Sequence, residues 1–233
     1  VDTSLLVKAL TKLKEVDLTG TKLSSAQITN ILKSVAMEGT KLKRMNLRGI
    51  DLSTVESEVL AKAVARLEDV DLWWIDVSAE QMEIILRQVT KKDTKLKKLS
   101  LLGNNLSSIE PEVIAKAVFR LEYADLGGTK LSCEQITIIL EYLTKEETKL
   151  KWLDLAANDL SKIDAEAIGR GVARLEGVNL GRTKLGIEQM TSIFRHIVHE
   201  DTNLERLNLQ SNDLSNSEPE LVSRAVAKLE DVN

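Results

Sequence analysis

The chain has 233 residues, 43% of them hydrophobic and 29% charged, with two prolines, one cysteine and a formal net charge of −4. That is enough apolar matter to bury a core, yet no apolar run approaches the roughly 18 residues needed to cross a bilayer, and nothing at the N-terminus reads as a signal peptide. The acidic balance argues against a nucleic-acid surface, which shows as clustered Lys and Arg, and the single cysteine, Cys133, forbids an internal disulfide and leans toward a cytoplasmic setting.

From the N-terminus, leucines recur at Leu13, Leu42, Leu67, Leu96, Leu121, Leu150, Leu175, Leu204 and Leu229, with gaps that alternate between 29 and 25 residues. Each opens a stretch Leu-x-x-(Leu/Val/Met/Ala)-x-Leu, as in Leu150-Lys-Trp-Leu153-Asp-Leu155, and only the last copy is cut short. Apolar residues with a period of two give a short strand. Strands are therefore predicted to begin near residues 15, 44, 69, 98, 123, 152, 177 and 206. The segments between them have helical period: Ile136, Ile139, Leu140 and Leu143 stand at i, i+3, i+4 and i+7. Ser24, Ser78 and Ser132 are placed to cap the helices of the long copies. Pro111 and Pro219 fall where the first helical turn of the short copies tolerates a missing N–H. Residues 1–18 align without a gap on residues 55–72, so the chain is expected to begin partway through a unit and to end partway through a strand.

Strand then helix, repeated, requires parallel strands backed by helices, and self-similarity at this period marks a solenoid. The predicted fold is an α/β horseshoe with the sheet on the concave face and helices on the convex face. It forms a single domain over residues 1–233, of about eight repeats alternating 29 and 25 residues. The pattern resembles the ribonuclease-inhibitor-like group of leucine-rich repeats, which includes that inhibitor and the sensor regions of Nod-like immune receptors. The resemblance implies non-catalytic recognition of a protein partner through the concave face. Its natural version is the ligand-sensing or regulatory segment of a larger receptor in innate immunity. The alternative is an engineered or consensus-derived scaffold with no native ligand, which the regular alternation also suits. Two departures stand out. The 25-residue copies are shorter than the group's usual unit of about 28 residues. The Asn after the strand occurs only at Asn104, Asn158 and Asn212, with Thr21, Thr129 and Thr183 in long copies and Ile50 and Ile75 in two adjacent ones.

With the leucines inward, the residues between them face outward in three rows. The first reads Glu15, Arg44, Asp69, Lys98, Tyr123, Trp152, Gly177, Arg206; the second Asp17, Asn46, Asp71, Ser100, Asp125, Asp154, Asn179, Asn208. The third reads Thr19, Arg48, Trp73, Leu102, Gly127, Ala156, Gly181, Gln210. Aromatics are only 3% of the chain, yet all three tryptophans, Trp73, Trp74 and Trp152, lie on these stretches. Sister copies read Thr19-Gly-Thr21, Gly127-Gly-Thr129 and Gly181-Arg-Thr183 where the third copy reads Trp73-Trp74-Ile75, and folding one more repeat does not require that change. Exposed Trp and Tyr among charges anchor interfaces. A partner is expected on Arg44, Arg48, Asp69, Asp71, Trp73, Trp74, Lys98, Leu102, Tyr123, Asp125, Trp152 and Asp154, with Arg48 stacked on the Trp73 ring. The competing reading turns Trp74 and Ile75 inward to fill the space left by Val77.

Arg44, Asp69 and Lys98 alternate in sign and are expected to pair across strands. Asp125 and Asp154, roughly 5 Å apart on adjacent strands, have the chemistry for acid–base work or a cation. An acidic or amide residue recurs at that place in nearly every copy, so a solvated ladder that meets a partner's Lys or Arg is the favoured reading. His196 and His199, beside Glu200, carry metal-ligand chemistry, but their sister positions read as an outward helix face, and no metal is expected. Cys133 reads as a half-buried residue near a helix start. No Gly-rich phosphate loop and no nucleophile elbow occurs, so neither an enzyme nor a cofactor is expected.

Overall fold

The computed structural model describes residues 3–10, 12–37, 39–145, 148–199 and 201–233, and the chain divides into two compact units, Val1–Ile109 and Glu110–Asn233. In the first unit, strands β1 (Glu15–Asp17), β2 (Arg44–Asn46), β3 (Asp69–Asp71) and β4 (Lys98–Ser100) alternate with helices α1 (Thr3–Leu10), α2 (Ser25–Ala36), α3 (Ser57–Arg66) and α4 (Ala79–Val89). The strands run parallel and register residue for residue, with Glu15, Arg44, Asp69 and Lys98 side by side. The second unit repeats the arrangement. Its strands are β5 (Tyr123–Asp125), β6 (Trp152–Asp154), β7 (Gly177–Asn179), β8 (Arg206–Asn208) and β9 (Asp231–Val232). Its helices are α5 (Pro111–Phe119), α6 (Cys133–Lys145), α7 (Ala165–Val172), α8 (Ile187–Val198) and α9 (Pro219–Val226). β1 to β8 begin at the residues the leucine spacing predicts.

Each of β1 to β8 is three residues long because the motif supplies one inward residue between two outward ones. Val16, Met45, Val70 and Leu99 are buried between flanking residues that are not. The helices close the other side of the core. Ile136, Ile139, Leu140 and Leu143 are at most 1% exposed, as the helical spacing requires. Ser24, Ser78 and Ser132 each accept the backbone N–H of a glutamine three residues on, and that glutamine's Oε1 accepts the serine N–H in return. These are capping boxes. Gly186 takes the serine's place before α8, its N–H donating to Gln189 Oε1 at 2.7 Å. The same glutamines reach back into the preceding repeat: Gln189 Nε2 donates to the carbonyls of Leu160 and Ile163, both at 2.8 Å, and Gln81 Nε2 to that of Val55 at 3.0 Å.

The turn after each strand buries carbonyls that must be satisfied. Asn158 Nδ2 donates to its own repeat's Leu155 carbonyl and to Leu126 of the repeat before, while its Oδ1 accepts the Leu131 N–H. Asn104 and Asn212 do the same for Leu72 and Leu180. One Asn thus serves two repeats, so the long copies need only the threonine hydroxyl, as with Thr129 to Leu126 and Thr183 to Leu180, each at 2.6 Å. Where Ile50 and Ile75 replace both, main chain substitutes. Asp76 N–H donates to the Ile50 carbonyl, Leu52 N–H donates to that of Asp76, and Asp51 and Asp76 form a parallel bridge.

Candidate functional site

In the first unit the aromatic centre is Trp73, half-buried on the outward face. Asp71 Oδ1 accepts the Trp73 N–H at 2.8 Å and fixes the turn after β3. The ring lies against Gly103, where a Cβ would stand 3.4 Å from Trp73 Nε1. The Arg48 guanidinium sits 3.2 Å from the ring centroid, the expected cation–π stack. Trp74 next to it is 74% exposed at a φ of +50°, in a turn position held by Gly20, Gly49, Gly103 and Gly128 in other repeats and, also at positive φ, by Ala157, Arg182 and Ser211. A bulky side chain in that region costs about 1–3 kcal/mol. Its N–H donates to the Leu102 carbonyl at 3.0 Å, which holds the indole out in solvent. The inward reading of this pair therefore holds for Ile75, which is 7% exposed, and fails for Trp74. The backbone of the turn points successive side chains in opposite directions.

The charged row pairs differently from the expectation. Arg44 turns back to Glu15, with Nη2 2.8 Å and Nε 3.0 Å from the same carboxylate oxygen. Asp69 is half-buried, and burial raises its carboxyl above the usual range against the opposing pull of Lys98 and Arg44. Arg44 and Lys98 are exposed, so pairs here contribute little to stability.

In the second unit Tyr123 and Trp152 stack with centroids 6.2 Å apart and planes 5° from parallel. The indole then extends across Gly177 of β7, where a Cβ would fall 2.4 Å from Trp152 Cε3. Only glycine leaves room for the ring. Arg206 of β8 stands 5.4 Å from the Trp152 ring centroid. Strand register brings Tyr123, Trp152, Gly177 and Arg206 into one continuous row. Trp152 Nε1 is buried without a hydrogen-bond partner. Gly177 and Arg206 join the candidate site as direct neighbours of Trp152, and both stand in the same outward row of the sequence.

The acidic row is a structural device before it is anything else. Asp17, Asn46, Asp71, Asp125, Asp154, Asn179 and Asn208 each accept, through Oδ1, the backbone N–H two residues on. The ladder is thus bonded to its own turns and not merely solvated. Asp154 Oδ2 also accepts from Asn179 Nδ2 at 2.7 Å, and burial, with the nearby Asp125 charge, raises its carboxyl above the usual range.

His196 corrects a second expectation, while His199 stays exposed as its helix face predicts. His196 does not face outward; its Nδ1 lies 2.9 Å from the Ser192 carbonyl and its Nε2 3.5 Å from Glu166. A Cβ on Gly169 would meet His196 Nδ1 at 2.5 Å, so α7 carries glycine where the imidazole packs. His199 faces Asp201 at 3.7 Å, and Glu200 lies outside the described residues. Among the described residues no group of three or more His, Cys, Asp or Glu gathers to hold a metal ion. Cys133, first residue of α6, is half-buried.

Parallel strands backed by helices, joined by Asn- and Thr-bonded turns, define the leucine-rich-repeat fold. Comparison with known proteins agrees. A family model described as Leucine Rich Repeat matches residues 203–225. The crystal structure of the leucine-rich repeat-containing protein LegL7 from Legionella pneumophila is similar at a TM-score of 0.60 and 15% identity, covering all of this chain and 78% of that one. The leucine-rich repeat domain of APL1 aligns at a TM-score of 0.47 and 15% identity, over 88% of this chain and 49% of that one. No curated protein matches the sequence. The fold supports a protein-interaction module, and no helix among the described residues is long and apolar enough to cross a membrane.

Proposed function

We propose that the chain is a non-catalytic recognition module that takes a protein partner on the outward face of its strands, the concave face of such a solenoid. The observation that carries this reading is Trp74. A large indole stands 74% exposed at a left-handed turn position that the other repeats fill with glycine, alanine, serine or arginine, and folding gains nothing from leaving that apolar surface in water. Each unit supplies an aromatic anchor with a cation beside it: Trp73 with Arg48 in the first, Trp152 with Tyr123 and Arg206 in the second. Partly desolvated Trp, Tyr and Arg are the side chains that dominate interface energies. The larger setting we favour is the ligand-sensing segment of a receptor of the ribonuclease-inhibitor-like group, held in the cytoplasm. Positional differences between otherwise equal repeats favour a selected partner over a scaffold without one.

The test is capture of binding proteins with the intact chain, then affinity measurement on Trp73→Ala, Trp74→Gly and Trp152→Ala. At least one should lose about 2 kcal/mol or more of binding. Arg195→Ala, on the exposed side of α8, is the control. If the three strand-face variants bind as the parent does while Arg195→Ala weakens binding, the partner sits on the helices.

A further inference from the structure

The edge where the strands begin carries a separate reading that does not depend on the aromatic clusters. The residue before each repeating leucine is Lys or Arg in eight of nine copies. Lys228 shows one use: its Nζ donates to the Val198 and His199 carbonyls at 2.7 and 3.0 Å, at the C-terminal end of α8. Helix C-termini are negative and attract cations, which accounts for Lys228 and gives the rest of that row a place beside helix ends. It does not account for the row two residues on. Backbone hydrogen bonds place Lys14, Lys43, Glu68 and Lys97 side by side in the first unit. The matching places in the second unit hold Glu122, Lys151, Glu176 and Glu205. The same repeat folds with either sign, so folding does not demand lysine.

The charges are accordingly segregated. Residues 1–109 hold 17 Lys and Arg against 14 Asp and Glu, a net +3, while residues 110–233 hold 15 against 22, a net −7. Three overlapping grooves along this edge of the first unit are lined by ten Lys and Arg and only three acids. One of the three acids, Glu68, is held by Lys43 at 2.7 Å. The groove on the matching edge of the second unit has four basic and three acidic side chains. A net charge of −4 conceals a basic surface that only folding assembles.

We propose that this edge of the first unit docks an extended acidic segment of a protein partner on Lys14, Lys43 and Lys97. Parallel strands stand about 4.8 Å apart, so the row from Lys14 to Lys97 spans roughly 14 Å, the reach of four or five residues of extended chain. No aromatic side chain lines these grooves to stack a base. A 14 Å row also meets only about three phosphates of a nucleic-acid strand, too few for firm binding at physiological salt.

The whole chain is titrated at low ionic strength against a fluorescein-labelled decamer of alternating Glu and Asp. Single-stranded RNA of equal length and phosphatidylserine vesicles serve as parallel probes. The peptide should bind saturably, and Lys14→Gln/Lys43→Gln/Lys97→Gln should weaken it about tenfold, with Lys151→Gln in the second unit changing it less than about twofold. Should thermal melting show the triple variant to be unfolded, Lys14→Gln alone is read, with a loss of about two- to fourfold expected. Absent peptide binding, or lysine variants that bind as the parent does, would overturn the proposal. So would RNA or vesicles that bind about tenfold more tightly than the peptide, which would give the edge to nucleic acid or membrane.

Discussion

At the residue scale, the protein departs from its own repeat in a few places, and each departure has a measurable consequence. Trp74 stands at a φ of +50° where Gly20 and Gly128 occupy the same turn position at +67° and +59°. Trp74→Gly should therefore raise stability in chemical denaturation, by about 0.5–1 kcal/mol, relief of strain outweighing the freedom glycine adds to the unfolded chain. A variant that is more stable yet binds its partner less well would separate the two roles of the position. A fall in stability would show that the indole is held by packing instead. Asp154 offers a pH test. Its carboxyl is raised in the folded state by burial, so the protonated form is favoured by folding. That contribution is fully present below the unfolded carboxylate pKa and is lost as pH rises through the raised folded value. Between pH 3 and pH 7 the stability of Asp154→Asn relative to the parent should thus move in the variant's favour. Parallel curves would mean that hydrogen bonds from Ala156 and Asn179 cancel the effect of burial.

At the scale of the element, Asn and Thr divide the work of satisfying the turn carbonyls between neighbouring repeats. In three of the four short copies an Asn satisfies carbonyls in two repeats, and a hydroxyl suffices in the long copies that carry Thr. Asn158→Ala leaves the Leu131 N–H unpaired and takes one bond from each of two carbonyls, Leu126, which keeps the Thr129 hydroxyl, and Leu155, which keeps a backbone N–H. It should cost about 2–4 kcal/mol by urea denaturation, because buried polar groups left unpaired lose their solvation outright. Thr129→Val removes a single bond to a carbonyl that Asn158 still serves, and should cost about 1 kcal/mol. Equal losses in the two variants would show that the sharing between repeats is not what holds these turns. The strands, the helical stripes and the serine caps were all legible in the sequence, since each depends on residues a few places apart. The Asn and Gln side chains that cross into the preceding repeat were not, because their partners lie 26 to 32 residues away.

At the scale of the whole molecule, stability is a matter of neighbours. Leu155 is fully buried in the turn end of β6. Leu155→Ala should cost roughly 2–5 kcal/mol, and hydrogen exchange should quicken in β5 and β7 as well, since repeats are held by their neighbours. Exchange confined to one repeat, or a loss under about 1 kcal/mol, would mean that the repeats are not coupled. The sequence by itself determined the repeat, the strand starts, the inward leucines and the outward rows, because a period-two pattern on a fixed spacing leaves one solution that buries its apolar side chains. It also marked Trp73 and Trp152, since a repeat is its own reference. Tertiary structure alone decided which way adjacent indoles point, that Trp152 needs the space over Gly177, that His196 packs against Gly169, and that lysines far apart in sequence share one edge of the first unit. The indoles diverge because the turn's backbone sets side-chain direction. In the other three cases van der Waals room and summed charge belong to residues that stacked repeats bring together, about 25 to 29 positions apart along the chain.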